Sequence, residues 1–219
     1  MDKIIKNNKE ELDKNGILIF QDLFPDNIIS RIDNDLLKII DDIDRSRTYD
    51  SDQYIVIDPS QSSQWGFLKC QSNPKPVIKV RGAAAYDQGM LDIFNAQKLL
   101  DLKDILSNSD LLSIISSINK KIKNVNCYCN HSVTTTRDYH RDSKGGKQFK
   151  AFIYLTDVLD ESYGPYSYIK GTHLETTNEG ETIHCIANKG SLIISNQSGI
   201  HRGIPQAEGR SRRLLSINL

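Results

Sequence analysis

Phe149 to His173 reads FKAFIYLTDVLDESYGPYSYIKGTH. Two short runs rich in β-branched and aromatic residues, near 148–156 and 166–170, flank an acidic break that ends in Gly164-Pro165. The same texture continues on both sides. Further strands are expected near 125–136, 182–187, 190–196, 199–204 and 211–218, divided by Gly, Asn and Asp. Short strands at this spacing predict a sandwich or a barrel.

Upstream of residue 125 the pattern is different. Residues 2–14 predict a short polar amphipathic helix that stops at Gly16, and Ile17-Leu18-Ile19-Phe20 reads as a buried strand. Pro25-Asp26 opens a second helix, in which Ile28, Ile29, Ile32, Leu36, Ile39, Ile40 and Ile43 form one apolar stripe. A stripe of this kind is core. Residues 44–76 are loop-like, interrupted by Tyr54-Ile55-Val56-Ile57, and hold the only tryptophan, Trp65, which reads as a packing anchor. Pro76 to Arg81 predicts a strand. Helical patterns follow near 86–100 and 108–120, the second with Ser109 or Asp110 as its N-cap. No repeat or low-complexity linker divides the chain. Residues 1–219 therefore read as a single domain, with a helix-and-strand part (1–124) buttressing a β part (125–219).

Lys plus Arg and Asp plus Glu each number 28. A formal net charge of zero gives no electrostatic case for nucleic acid or an anionic membrane. No apolar run reaches the ~20 residues of a membrane span, and the N-terminal residues lack a signal-peptide apolar region, so a cytosolic protein is expected. Cys70, Cys127, Cys129 and Cys185 lack zinc-ribbon or redox spacing and read as reduced, mostly buried thiols.

The chemistry centres on Tyr139-His140-Arg141-Asp142. His140 and Asp142 are two apart, so on extended backbone both side chains leave one face. A second imidazole, His201, would complete two histidines and one carboxylate. That is the facial triad of non-haem Fe(II) oxygenases, which leaves metal positions open.

Leu155-Thr156-Asp157, the acidic Asp160-Glu161, Gly164-Pro165 and Gly171-Thr172-His173 follow one another in the order found in the phytanoyl-CoA hydroxylase-like branch of the Fe(II)/2-oxoglutarate-dependent dioxygenases. The C-terminal text GSLIISNQSGIHRGIPQAEGRSRRLLSINL and the opening Gly16 to Ile43 also resemble that family; residues 44–75 match least. The resemblance implies a double-stranded β-helix, a cupin-like jelly roll, mostly β and buttressed by N-terminal helices. It implies Fe(II) held by His140, Asp142 and His201, with 2-oxoglutarate and O2 as co-substrates. It matches Arg212 to the arginine that binds the far carboxylate of 2-oxoglutarate. Strand parity separates Arg212 from Arg213, while Arg210 shares the parity of Arg212 and precedes the strand. A guanidinium offers a permanent charge and a planar fork for such a carboxylate.

Asn130 and Thr136 are further candidates for contact with 2-oxoglutarate or substrate, from the strand expected to line the pocket. Lys79 and Arg81 lie where relatives carry basic residues. His173 is placed by the resemblance in a structural turn rather than at the metal. His131 and His184 read as structural or exposed strand residues. The activity implied is hydroxylation of a small molecule at an unactivated C–H, with release of succinate and CO2. The pocket is expected from residues 44–81 and from the loop Ser143-Lys144-Gly145-Gly146-Lys147, whose glycines suggest a lid. Two other readings stay open. One is a catalytically silent β-helix module that binds a ligand or partner. The other is a metalloenzyme using the same triad without 2-oxoglutarate.

Overall fold

Alternation along the last strand organises the molecule. In the computed structural model, which describes residues 2–46, 54–56, 80–81, 85–86, 89–93, 96–146 and 148–219, strand β12 (Ser211–Asn218) turns Leu215 and Ile217 toward the helices and Leu214 toward the opposite layer. Successive side chains of a strand point to opposite faces, so this one strand contributes to two separate apolar clusters.

The elements run in the order α1 (Asp2–Asn15), β1 (Ile17–Phe20), α2 (Asp26–Ser46), β2 (Tyr54–Val56), β3 (Val80–Arg81), β4 (Ala85–Tyr86), β5 (Gly89–Ile93), α3 (Lys103–Leu106) and α4 (Ser109–Ser117). They continue with β6 (Asn124–His131), β7 (Phe149–Tyr154), β8 (Tyr166–Ile169), β9 (Thr182–His184), β10 (Leu192–Asn196) and β11 (His201–Gly203), before β12. A seven-stranded sheet has the order β1-β10-β7-β12-β6-β5-β2, and a three-stranded sheet the order β11-β8-β9. The strand pairs within both sheets are antiparallel. The strands form a double-stranded β-helix, as the family resemblance implies.

One face of the large sheet is covered by helices. The stripe of α2 delivers Ile29, Ile32, Leu36 and Ile40, all fully buried, against Ile153, Ile194, Leu215 and Ile217. Cys127 and Cys129 belong to this layer, and Cys185 to the inner one, each as a buried free thiol; Cys70 lies outside the described residues. The inner face carries Phe152, Tyr154, Ile193 and Leu214, packed against Tyr166 and Tyr168 of the small sheet. Between the two sheets, at the end where β12 begins, lies the cavity described below.

Three local expectations are corrected. Among the described residues of 86–100 there is no α-helix: Gly89–Ile93 is a strand and Ala96–Lys98 one 3-10 turn. Pairing with β2 on one side and β6 on the other supplies ladder bonds that outweigh a helical apolar period. Helix α4 is capped one residue earlier than expected, by Asn108, whose side-chain oxygen accepts from the Leu111 amide at 2.9 Å. The strand expected over 125–136 stops at His131. Ser132 takes a left-handed φ of 52° and donates its amide to the Arg210 carbonyl, so Thr134, Thr135 and Thr136 leave the ladder. Trp65, Lys79 and most of the loop-like region 44–76 lie outside the described residues. No helix among the described residues is long and apolar enough to cross a membrane.

Candidate metal centre

Backbone pairing brings the metal candidates together. His140 donates its amide to the His201 carbonyl at 3.0 Å, and His201 returns the bond at 2.9 Å. Two residues on, the Asp142 amide donates to the Gln197 carbonyl at 3.0 Å. The H-x-D segment is thereby laid antiparallel along residues 197–201. Arg141, between the two candidates, points away. It donates to the carbonyls of Thr172, Ser198 and Thr177 and to Asn178 Oδ1 at 2.8 Å.

The two imidazoles are oriented alike. His140 Nδ1 lies 2.7 Å from the Asp138 carbonyl oxygen, and His201 Nδ1 lies 2.9 Å from that of Gly199. A carbonyl can only accept, so each Nδ1 donates to its carbonyl and each Nε2 is left as the atom that faces Asp142 and that a metal would use. His140 Nε2 faces Asp142 Oδ1 at 3.3 Å, and His201 Nε2 faces Asp142 Oδ2 at 3.7 Å. Burial by itself would raise the Asp142 carboxyl. The hydrogen bonds to His140 and His201 and the Lys150 ammonium outweigh it and hold the group well below the usual carboxylate range. The ligand atoms of His140, Asp142 and His201 all lie within 4.8 Å of one another. Two imidazole Nε2 atoms and one ionised carboxylate, open on the cavity side, suit the three-ligand binding of a non-haem divalent iron.

Arg212 enters the same cavity from the start of β12, opposite Asn130 of β6. It is 8% exposed. Its guanidinium donates to the Gly164 carbonyl and, with the Asn130 amide turned so that its oxygen faces it, to Asn130 at 3.0 Å. Gly164 sits at φ 71°, and a Cβ there would meet the Ile204 carbonyl at 2.7 Å, so only glycine turns its own carbonyl inward without strain. Burial presses the pKa of Arg212 below the ordinary arginine value. Among the described residues no carboxylate pairs with it. A buried cation without an anion is costly, and a ligand carboxylate would compensate it.

The two rival arginines lie elsewhere. Arg213, on the helix side, forms a fork on Asp33 of α2 at 2.6 and 2.8 Å. Arg210 stacks on Tyr163 and donates to its hydroxyl at 2.9 Å.

A cavity of about 300 Å3 is lined by all six candidates: Asn130, Thr136, His140, Asp142, His201 and Arg212. The Thr136 hydroxyl is already engaged, donating to the Gly203 carbonyl at 2.7 Å and accepting from Arg202 at 2.9 Å. His173 stands apart in its turn, with Nε2 2.9 Å from the Asp13 carbonyl oxygen. His131 pairs with Ser211 at 2.7 Å, and His184 faces Glu161 at 3.7 Å.

The expected loop contribution is corrected. Ser143, Lys144, Gly145 and Gly146 do not line the cavity. The Gly145 and Gly146 amides are tied to Glu175 and to the Ser198 hydroxyl, which holds this turn outward. Residue 147 lies outside the described residues. Lys150, Gln197 and Tyr166 line the cavity and were not singled out from the sequence. For Lys150 a signal existed: in FKAFIY it shares parity with the inward Phe152 and Tyr154. Its ammonium donates to Asp142 Oδ2 at 2.8 Å.

No protein-family model matches the chain, and no curated protein is significantly similar to it in sequence. Solved structures are similar in fold. AviO1 from Streptomyces viridochromogenes Tue57 superposes with a TM-score of 0.68 at 14% identity, covering 97% of this chain and 93% of that one. The epimerase SnoN, in complex with Fe3+, alpha ketoglutarate and nogalamycin RO, gives 0.65 at 11% identity, with 100% and 84% covered. HygX from Streptomyces hygroscopicus, with nickel, 2-oxoglutarate and hygromycin B bound, gives 0.58 at 11%, with 97% and 86% covered. At these identities the chain shares with all three a fold, the double-stranded β-helix, over nearly its whole length.

Proposed function

We propose that this protein is an Fe(II)- and 2-oxoglutarate-dependent oxygenase that acts on a small molecule, and that it belongs with the phytanoyl-CoA hydroxylase-like enzymes. One observation carries the reading. His140, Asp142 and His201 converge at one wall of a cavity whose other wall holds Arg212, a buried guanidinium with no carboxylate of its own among the described residues. A dicarboxylate that chelates metal at one end needs this pair of sites. Two of the structural neighbours carry metal, 2-oxoglutarate and a small molecule together.

When bound, Fe(II) and 2-oxoglutarate couple O2 activation to oxidative decarboxylation, with succinate and CO2 released. The chain's share follows from its geometry. The Asp138 and Gly199 carbonyls hold the imidazoles so that both Nε2 atoms face the metal position. Asp142 adds one negative charge to two neutral ligands and leaves the remaining positions for exchangeable groups. Arg212 binds and orients the far carboxylate of the co-substrate. Phe152, Tyr166 and Leu214 present apolar surface to the cavity and keep bulk water from the reacting centre. The presence of Asp142 favours hydroxylation, because no vacated carboxylate position is left for a halide.

The test uses anaerobic protein. Adding Fe(II) and 2-oxoglutarate should produce a weak visible metal-to-ligand charge-transfer band, and admitting O2 should produce succinate. Folded, iron-loaded protein that gives neither would point instead to a silent relative or to an enzyme independent of 2-oxoglutarate.

A further inference from the structure

The cavity contains more positive charge than the co-substrate can use. Its charged walls, among the described residues, are Arg137, Lys150 and Arg212 against the single carboxylate Asp142. Fe(II) and a 2-oxoglutarate dianion cancel each other in charge, so the excess of cations persists in the loaded site.

Asp142 is also over-committed. Its Oδ2 accepts from Lys150 at 2.8 Å, while Oδ1 lies 3.9 Å from Arg137 Nη1, a distance at which a guanidinium is attracted but not bonded. Among the described residues, Asp142 is the only carboxylate paired with either cation. A metal held by Asp142 would draw on the charge that attracts Arg137, whose contact is long, whereas Lys150 is hydrogen-bonded to Oδ2. The Arg137 side chain is about a third exposed, at the mouth of the cavity, and a planar fork there can take two oxygens at once. Arg202, the other guanidinium nearby, is spent on Thr136 and Asp138 and does not compete for the same anion.

We propose that Arg137 is a substrate-recognition residue and that the substrate carries an oxyanionic group, a carboxylate or a phosphate, which docks on Arg137 while its reacting carbon lies at the metal. This inference rests on the metal reading above only in that a metal claims the Asp142 charge. Asp142→Asn mimics that neutralisation without any metal, and so separates the two.

The experiment measures 19F transverse relaxation of trifluoroacetate, with trifluoroacetamide as the uncharged control, on metal-free protein with 2-oxoglutarate added to occupy Arg212. The expected result is that Asp142→Asn binds trifluoroacetate about 10-fold more tightly than the parent, and that Arg137→Gln in that background removes the gain. Trifluoroacetamide should not distinguish these proteins. Phosphate displacing trifluoroacetate more readily than acetate does would assign a phosphoryl group, and the reverse order a carboxylate. Equal affinity for the charged and uncharged probes would overturn the proposal, as would a gain that survives Arg137→Gln. Absence of a charge-transfer band with iron would sink the metal reading and leave this result standing.

Discussion

His140 and His201 exchange both of their backbone hydrogen bonds, at 3.0 and 2.9 Å, and their rings stand 4.6 Å apart. The spacing of the two imidazoles is therefore set by a sheet-like backbone pair rather than by side-chain reach. Removing one imidazole should leave this pairing in place. His140→Ala, Asp142→Ala and His201→Ala should each keep a native circular-dichroism spectrum yet lose more than about 100-fold in Fe(II) affinity, since even outer partners of metal ligands are worth 10–100-fold. A chromogenic-chelator competition titration reads this. Normal metal binding and normal turnover in any one of them would remove that residue from the site.

Adjacent arginines on β12 should separate cleanly. Arg212→Gln removes a charged fork from the cavity and should weaken 2-oxoglutarate binding by roughly 10- to 100-fold, with Fe(II) affinity little changed. Arg213→Gln instead strips Asp33 of a bidentate partner in a site where both side chains are mostly buried, and should cost about 3 kcal/mol of stability. Co-substrate titration and chemical denaturation on both variants settle the assignment. Interchanged phenotypes would mean that strand parity had been misread.

Gly164 links backbone conformation to the placement of the Arg212 guanidinium. Alanine at φ 71°, with its Cβ 2.6 Å from Gln206 Cγ, should lower stability by about 1–3 kcal/mol. Because the Gly164 carbonyl accepts from Arg212, 2-oxoglutarate affinity should fall with it. A variant that loses stability but binds 2-oxoglutarate normally would show that this carbonyl does not position the guanidinium.

Leu36 tests the helix layer. It is fully buried between α2 and the large sheet, so Leu36→Ala should cost about 2–5 kcal/mol by lost burial and a residual cavity. The site faces the other side of that sheet, so Fe(II) affinity of the folded variant should be unchanged. A melting curve and the chelator titration check the two halves of this expectation.

Much of this was legible locally. The stripe on α2 and the inward-outward alternation of β7, β10 and β12 follow from side-chain periods that any short window displays. His140-x-Asp142 and its neighbours carry their spacing in the text. Arg212 was separable from Arg213 because parity on one strand is a local property. Local windows also misled: the apolar pattern near 86–100 looked helical, and only pairing of Gly89–Ile93 with β2 and β6 made it a strand. Thr134 to Thr136 had strand propensity, but the left-handed turn at Ser132 took them out of the ladder.

By itself the sequence determined which faces of the elements are apolar, which residues are chemically able to bind a metal, and that Arg212 and Arg213 leave opposite faces of the last strand. Only the tertiary structure decided that His201 pairs with His140, that Lys150 bonds Asp142, and that Asp142 is the one carboxylate among the described residues beside Arg137. The physical reason is the range of the forces. Periodicity and propensity act within a few residues, whereas long-range ladder pairing brings distant residues together, and electrostatic surplus is a property of a cavity as a whole.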